Sequence, residues 1–363
     1  GAVESTVLEV LVRHLRKRCE KTKHRGAVTQ LVEDDQLWCD CTIDLHDAVL
    51  TEIADFRGAT FTNDASFQDA NFTNDANFQD ATFNGAAGFQ GATFNGAAGF
   101  QGATFTNDAN FWDATFNGAA GFQGATFTND ANFWDATFNG AAGFQGATFT
   151  NDAAGFQGAT FTNDASFRDA TFNRVDFRGA TFTNNASFQD ATFNHAGFQD
   201  ATFTNNASFQ DATFTNDASF QDATFNRAAG FQGATFTNDA SFQGATFNRA
   251  AGFQGATFTN DASFQDANFT NDANFQDATF NRAGFQGATF NRAGFQGATF
   301  NRAGFRGANF NGAAGFQGAT FTNDANFWDA TFNGAAGFQG ATFNRAGFQD
   351  ATFTNDANFW DAT

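Results

Sequence analysis

The sequence predicts an all-β fold, a solenoid closed by a short helical cap. Three observations lead there. All 57 Phe residues fall between Phe56 and Phe359, nearly all with Ala two positions earlier. Successive Phe residues are 5 or 6 positions apart, with one gap of 7 from Phe149 to Phe156. The extra residue comes only in every second gap. Self-similarity at a fixed period marks a fold whose units stack on their neighbours.

The working unit is an 11-mer such as Ala59-Thr60-Phe61-Thr62-Asn63-Asp64-Ala65-Ser66-Phe67-Gln68-Asp69. In Ala-x-Phe the two apolar residues point to one face of an extended backbone, and the residues between and after them to the other. Ala59, Phe61, Ala65, Phe67, Phe56 and Phe72 therefore face inward. Turn residues follow at once (Asn63-Asp64, Gln90-Gly91). No Pro removes a ladder donor. Where the sixth residue is missing, as between Phe172 and Phe177 or through Phe280 to Phe310, the alternation resumes in phase. Two kinds of corner thus alternate along the chain.

These units resemble the module of the pentapeptide-repeat family: a small residue, a polar residue, a central Leu or Phe, then two polar or Gly positions. The all-Phe form with a regular sixth residue is similar to long actinobacterial members. Ser5-Thr6-Val7-Leu8-Glu9-Val10-Leu11 and the Leu-centred entry Ile43-Asp44-Leu45 look like their usual lead-in. The resemblance is strong over residues 43–363 and weak over 4–42. It implies a right-handed quadrilateral β-helix with four sides per coil. A 5-6-5-6 circuit then holds 22 residues and sets the longer corners diagonally opposite, so 57 sides make about 14 coils. The expected organisation is a helical cap and linker over 1–42 and the β-helix over 43–363. The sixth residue departs from the strict module, which leaves the geometry of that corner open.

In the amino-terminal segment, Thr6 with Glu9 reads as a capping box. Leu8, Leu11, Val12 and Leu15 form one helical stripe. Arg13, Arg16, Lys17 and Arg18 lie late in that helix, as its dipole favours. A second short helix is expected over Val28–Leu37. The segment reads as a plug over the first coil, with a docking element as the alternative.

The body repeats a few residue types, whereas an active site needs unlike residues to converge, so no enzyme and no cofactor are expected. Cys39-x-Cys41 with Cys19, His24 and His46 falls short of the doubled Cys pairs usual for zinc. A Cys–His nucleophile lacks an orienting partner. His195 stands at a corner where Gly or Arg is usual. Recurrent Gly marks turns and not a phosphate loop. Three Cys give no disulfide framework, which makes a cytoplasmic setting the expectation. No apolar run reaches a membrane span. A chain without Met that stops at Ala362-Thr363 reads as a piece of a longer protein.

The outer surface carries the functional clues. Beyond residue 50 there are 29 Asp/Glu against 11 Lys/Arg. Some relatives mimic DNA and bind type II topoisomerases, so the resemblance implies gyrase as one candidate partner. Against mimicry, the expected charge is about one per 4 Å of rod, compared with one per ~1.7 Å in duplex DNA, and Arg282, Arg292 and Arg302 interrupt it. Columns of Gln (Gln68, Gln90), Thr and Asn are expected to bond along the stack. Trp112 and Trp134 replace Gln one coil apart and are expected to stack as an exposed pair. Trp328 and Trp360 take the same kind of position on opposite sides. Exposed Trp suggests a partner surface, with drift at a tolerant position as the alternative. An open last coil is expected either to template end-to-end joining or to be capped by sequence absent from this piece. Thr-Phe-Thr arrays at Thr104–Thr106, Thr126–Thr128 and Thr148–Thr150 suggest ice binding, but Asn breaks them at Asn84 and Asn173. The function these features predict is a structural, acidic rod that contacts itself or another protein. Neither direct nucleic-acid binding nor membrane insertion is expected.

Overall fold

The computed structural model describes residues 2–15, 41–151 and 154–363. They form a parallel β-solenoid of about 14 coils with one short amino-terminal helix. The chain divides into two compact units, Gly1–Gly155 and Phe156–Thr363.

In the first unit, each Ala-x-Phe segment gives a two-residue strand, and four strands make a circuit. Thr60–Phe61, Ala65–Ser66, Asn71–Phe72 and Ala76–Asn77 follow one another, and Thr82–Phe83 then lies on Thr60–Phe61. The pairing is parallel, Phe on Phe and Ala on Ala, 22 residues apart. The first two of these strands belong to one sheet and the last two to another. The circuit therefore consumes four Phe residues, as the repeat phase predicts.

The two corner types have distinct backbones. At the five-residue gap Phe67 to Phe72, the Ala70 amide donates to the Phe67 carbonyl at 3.1 Å, and Asp69 sits at φ 54°. That is a type II turn, which requires a positive φ at its third residue. Asp or Gly fills this place throughout (Asp69, Asp80, Gly91, Gly102) because both tolerate the left-handed region. The sixth residue belongs to the other corner, the open Thr62-Asn63-Asp64 link between two strands of one sheet. Part of the single 7-residue gap, at 152–153, lies outside the described residues.

The core is a set of Phe columns. In the first unit Phe61, Phe83, Phe105 and Phe127 stack in sequence at 4.5, 4.8 and 4.7 Å between ring centroids, within 4° of parallel. Columns also meet edge to face, as Phe100 does Phe111 at 5.4 Å and 89°. Offset-stacked and T-shaped pairs both satisfy the ring quadrupole. No polar or charged residue is buried among the described residues. The predicted inward set Phe56, Phe61, Phe67, Phe72, Ala59 and Ala65 is at most 1% exposed.

The second unit follows the same plan with shorter circuits where the sixth residue is absent. Thr279–Gly284 is an unbroken strand that pairs with Thr299–Gly304, 20 residues on, with Arg282 on Arg302. Where a seven-residue strand meets a six-residue one, as Thr257–Ser263 on Thr279–Gly284, the register slips between Phe258 and Asp261. This is a β-bulge that absorbs one residue without moving the Phe column. Phe258 still stacks on Phe280 at 4.8 Å. Phe343, Phe348 and Phe353 are half-buried, and Phe359 is 41% exposed.

Helix α1 spans Ala2–Leu15. It starts four residues before Thr6, so Thr6 and Glu9 are interior and do not form an amino-terminal capping box. Ala2-Val3-Glu4-Ser5 contains no helix breaker, and the helix runs on through it. Leu8, Val12 and Leu15 are buried and Leu11 half-buried, and α1 packs on the strand Ala54–Asp55. The lead-in also pairs as strands, with Ile43 on Ala65 and Leu50 on Phe72. The expected helix at 28–37 lies outside the described residues.

Candidate functional site

With the Phe rings inside, the surface chemistry is set by which residues fall at the corners. Among the described residues, no three His, Cys, Asp or Glu side chains are grouped to hold a metal. Cys19, His24 and Cys39 lie outside the described residues. Cys41 is an exposed free thiol, and His46 is engaged with Asp44, Nδ1 to Oδ1 at 2.7 Å. His195 pairs in register with Arg174 on the outer face.

The hydrogen bond that His46 Nδ1 donates to the Asp44 carboxylate raises the His46 pKa above its usual 6.5, and the same bond lowers that of Asp44. Raising the His46 value means its contribution to stability is present below about pH 6.5 and lost as pH rises through the folded value. The depressed Asp44 contributes above about pH 4 and loses this as pH falls further. Both groups are exposed, so the effect is small. An NMR titration is expected to place His46 above the ordinary midpoint, with Asp44→Asn returning it; an unshifted His46 would count against the pairing.

The polar columns differ by residue type. Asn forms the predicted ladder: Asn95 donates to Asn71, Asn117 to Asn95 and Asn139 to Asn117, each at 2.9 Å. Gln does not. Gln68, Gln79, Gln210 and Gln265 donate to the Asp that follows them, at 3.1–3.3 Å. The Gln stands at the second position of the type II turn, which brings the next carboxylate within reach of its amide. Where Gly follows, Gln lies over the glycine of the next circuit instead. A Cβ on Gly121 would come 2.3 Å from Gln101 Nε2, and one on Gly143 as close to Gln123 Nε2. Thr side chains bond to backbone more than to one another, as Thr150 does to the Thr128 carbonyl at 3.0 Å. The Thr104, Thr126 and Thr148 positions do align in register.

The four predicted Trp sites are all exposed: Trp112 50%, Trp134 44%, Trp328 43% and Trp360 73%. Each stands in the same hexapeptide, Asp-Ala-Asn-Phe-Trp-Asp, at 108–113, 130–135, 324–329 and 356–361. In every copy the Asn side chain accepts from the Trp amide, at 2.8–3.0 Å. Trp112 and Trp134 are one circuit apart on one edge, with Asn110 paired to Asn132. Their rings make no contact with each other among the described pairs. The Trp134 indole instead lies over Gly155, where a Cβ would meet Nε1 at 2.0 Å, and Trp328 covers Gly347 in the same way. Glycine on the next circuit leaves a seat that the indole takes.

Charge is uneven within the first unit. Residues 58–155 hold nine Asp and no Lys, Arg or His. Of the turns from the first sheet to the second, Asp fills positions 47, 69, 113 and 135, and Gly only 91. Of the turns leading back, Gly fills 58, 102, 124 and 146, and Asp only 80. In the second unit, Arg residues meet the acid: Arg282 pairs with Asp261, Arg292 with Asp272 and Arg345 with Asp324.

Family comparison agrees with this geometry. A model described as pentapeptide repeats (9 copies) matches overlapping stretches that together run from residue 45 to residue 363. The chain belongs to the pentapeptide-repeat family. Among solved structures it is similar to HetL, a pentapeptide repeat protein involved in heterocyst differentiation regulation from the cyanobacterium Nostoc sp. strain PCC 7120. The identity is 15%, covering 71% of this chain and 86% of HetL, with a TM-score of 0.29. No curated protein matches the sequence. No described helix of this pentapeptide-repeat chain is long and apolar enough to cross a membrane.

Proposed function

We propose that the protein is a non-enzymatic, acidic scaffold that presents repeated side chains at fixed spacing to a protein partner. The observation that carries this reading is the uniformity of the wall. The same few residue types recur in register on each circuit, and the Phe columns behind them hold the outer side chains in place. Such a surface suits recognition by repetition and not the convergence of unlike groups that catalysis needs. Residues 1–42 act in this reading as a cap over the first circuit, supported by the buried Leu8, Val12 and Leu15. The cytoplasm is the compartment it fits.

Self-association belongs to the same reading. In the 363-residue polypeptide, the rings of Phe343, Phe348, Phe353 and Phe359 are partly exposed, so this last circuit is covered either by another copy or by further sequence. Sedimentation velocity is expected to show oligomers that grow with concentration; a monomer at every concentration would remove this part of the proposal.

A second reading, modulation of gyrase by DNA mimicry, is favoured by one observation: residues 58–155 carry acid with no cation. The Arg–Asp pairs of the second unit count against it. The discriminating measurement is gyrase supercoiling with titrated protein. The scaffold reading expects full activity at equimolar protein, whereas inhibition near stoichiometry would replace it with mimicry.

A further inference from the structure

We propose that the edge bearing Trp112 and Trp134 docks an arginine-bearing basic segment of a partner protein, each guanidinium lying against an indole with the flanking carboxylates pairing its charge. This rests on the scaffold reading and names the chemistry of its partner.

The site is two copies of Asp-Ala-Asn-Phe-Trp-Asp on adjacent circuits. Asp108 and Asp130 stand at the open corner, and Trp112-Asp113 and Trp134-Asp135 at the turn one side further on. All six of these Asp and Trp side chains are exposed. The backbone brings the copies together, since the Asp113 amide donates to the Trp134 carbonyl at 2.9 Å. Neighbouring strands in a sheet lie roughly 4.8 Å apart, so the two copies are close enough for two long arginine side chains of one short segment to reach both.

One fact points to arginine as the occupant and a second to the charge that holds it. The third copy of the hexapeptide shows which group its carboxylates take. There Arg345 Nε lies 2.9 Å from Asp324 Oδ1, and Arg306 Nε lies 3.7 Å from Asp329 Oδ2, so cations from the chain itself engage both acids around Trp328. In the first unit no cation exists between residues 58 and 155, and Asp108 and Asp130 each accept instead from a neutral amide of the next circuit, that of Asn129 and of Asn151, which leaves their charge unpaired. The second fact is conformational. Asp113 and Asp135 hold φ at 59° and 54°, where the turns at Gly102, Gly124 and Gly146 use glycine. Glycine adopts that conformation at lower cost. Both residues serve this turn elsewhere in the fold, so the choice of Asp at 113 and 135 is what gives this edge its charge. Indole attracts a guanidinium through its face, and the carboxylate pairs with the planar N–H groups.

The test is a binding titration of the full chain with a labelled oligoarginine peptide and an oligolysine of equal length, at low and at physiological salt. Trp112→Gln/Trp134→Gln and Asp113→Gly/Asp135→Gly install residues that the chain already uses on the same edge one circuit earlier (Gln90-Gly91), so the fold tolerates them. The expected results are tighter binding of oligoarginine than of oligolysine, about tenfold weaker oligoarginine binding in the Trp double variant, and a flatter salt dependence in the Asp double variant. Trp328→Gln is expected to leave binding unchanged. Equal affinity for the two peptides, or binding indifferent to the Trp pair, overturns the proposal by reducing it to diffuse attraction between opposite charges. Such a failure leaves the scaffold reading standing, since that reading is decided by the gyrase assay.

Discussion

Replacing Phe111 by Ala is expected to destabilise its circuit by about 3–5 kcal/mol, the usual cost of deleting a buried aromatic ring. Phe111 stacks on Phe89 at 4.8 Å and on Phe133 at 4.7 Å, both within 1° of parallel, and meets Phe100 and Phe122 edge to face. The wall around it is held by backbone ladders on both sides, as when the Phe111 amide donates to Asn132 at 2.6 Å. The cavity therefore cannot close by collapse. Because each circuit is stabilised mainly through its neighbours, the damage is expected to be local. Amides in the adjoining circuits, such as those of Phe89 and Phe133, should exchange on the order of 10²–10³-fold faster in the variant. Phe111→Leu keeps an apolar branch at the site and is expected to cost about 1–1.5 kcal/mol. An Ala variant with unaltered exchange would mean that the columns do not hold the solenoid together.

The second large effect is expected at Gly118. Its position at the open corner of the second sheet places it directly over Gly96. A Cβ there would lie 2.2 Å from the Gly96 carbonyl oxygen, 2.4 Å from its carbon and 2.8 Å from the Ala97 nitrogen. All three obstacles are backbone, so two circuits must separate to admit a methyl group. Gly118→Ala is expected to cost about 3 kcal/mol, at the upper end for overpacking. Gly140 over Gly118 repeats the arrangement. Gly124 makes the comparison clean, because an added Cβ there meets nothing within 4 Å and only its φ of +63° opposes substitution. Gly124→Ala is expected to cost about 1–2 kcal/mol, and Gly124→Asp less, since Asp adopts the same turn at Asp113 and Asp135. Urea denaturation of the three variants orders them. A larger loss at Gly124 than at Gly118 would show that torsional strain, and not contact between circuits, selects glycine at these corners.

Phe111 and Gly118 differ in how far a local sequence pattern sets their surroundings. The inward Phe and Ala faces follow from alternation along a strand, a property of two or three adjacent residues repeated many times. The four-sided circuit follows from the alternating five and six. Both hold in the structure, and the sixth residue proves to occupy the open corner while the five-residue gap makes the type II turn. The Gln columns were not legible. A Gln at the second turn position reaches its own neighbour's carboxylate before it reaches the next circuit, whereas Asn71, Asn95 and Asn117 sit where one amide meets the next. The start of helix α1 was also misplaced, because a Thr and Glu at cap spacing fit a helix interior as well as its beginning.

The exposed Trp residues were visible from their place in the repeat, but their seats were not. Trp134 does not stack on Trp112; it settles over Gly155, a residue 21 positions later that only the coil brings beneath it. Likewise, a count of 29 acids against 11 bases beyond residue 50 says nothing of which edge carries them. The sequence by itself determined the core, the number of sides and the family, because each depends on a local pattern that every repeat restates. The tertiary structure alone decided which polar side chains bond, where the indoles rest and which carboxylates meet an arginine, because in each case a side chain chooses between a neighbour in sequence and a residue some 20 positions away, and differences of a few ångströms in reach select the partner.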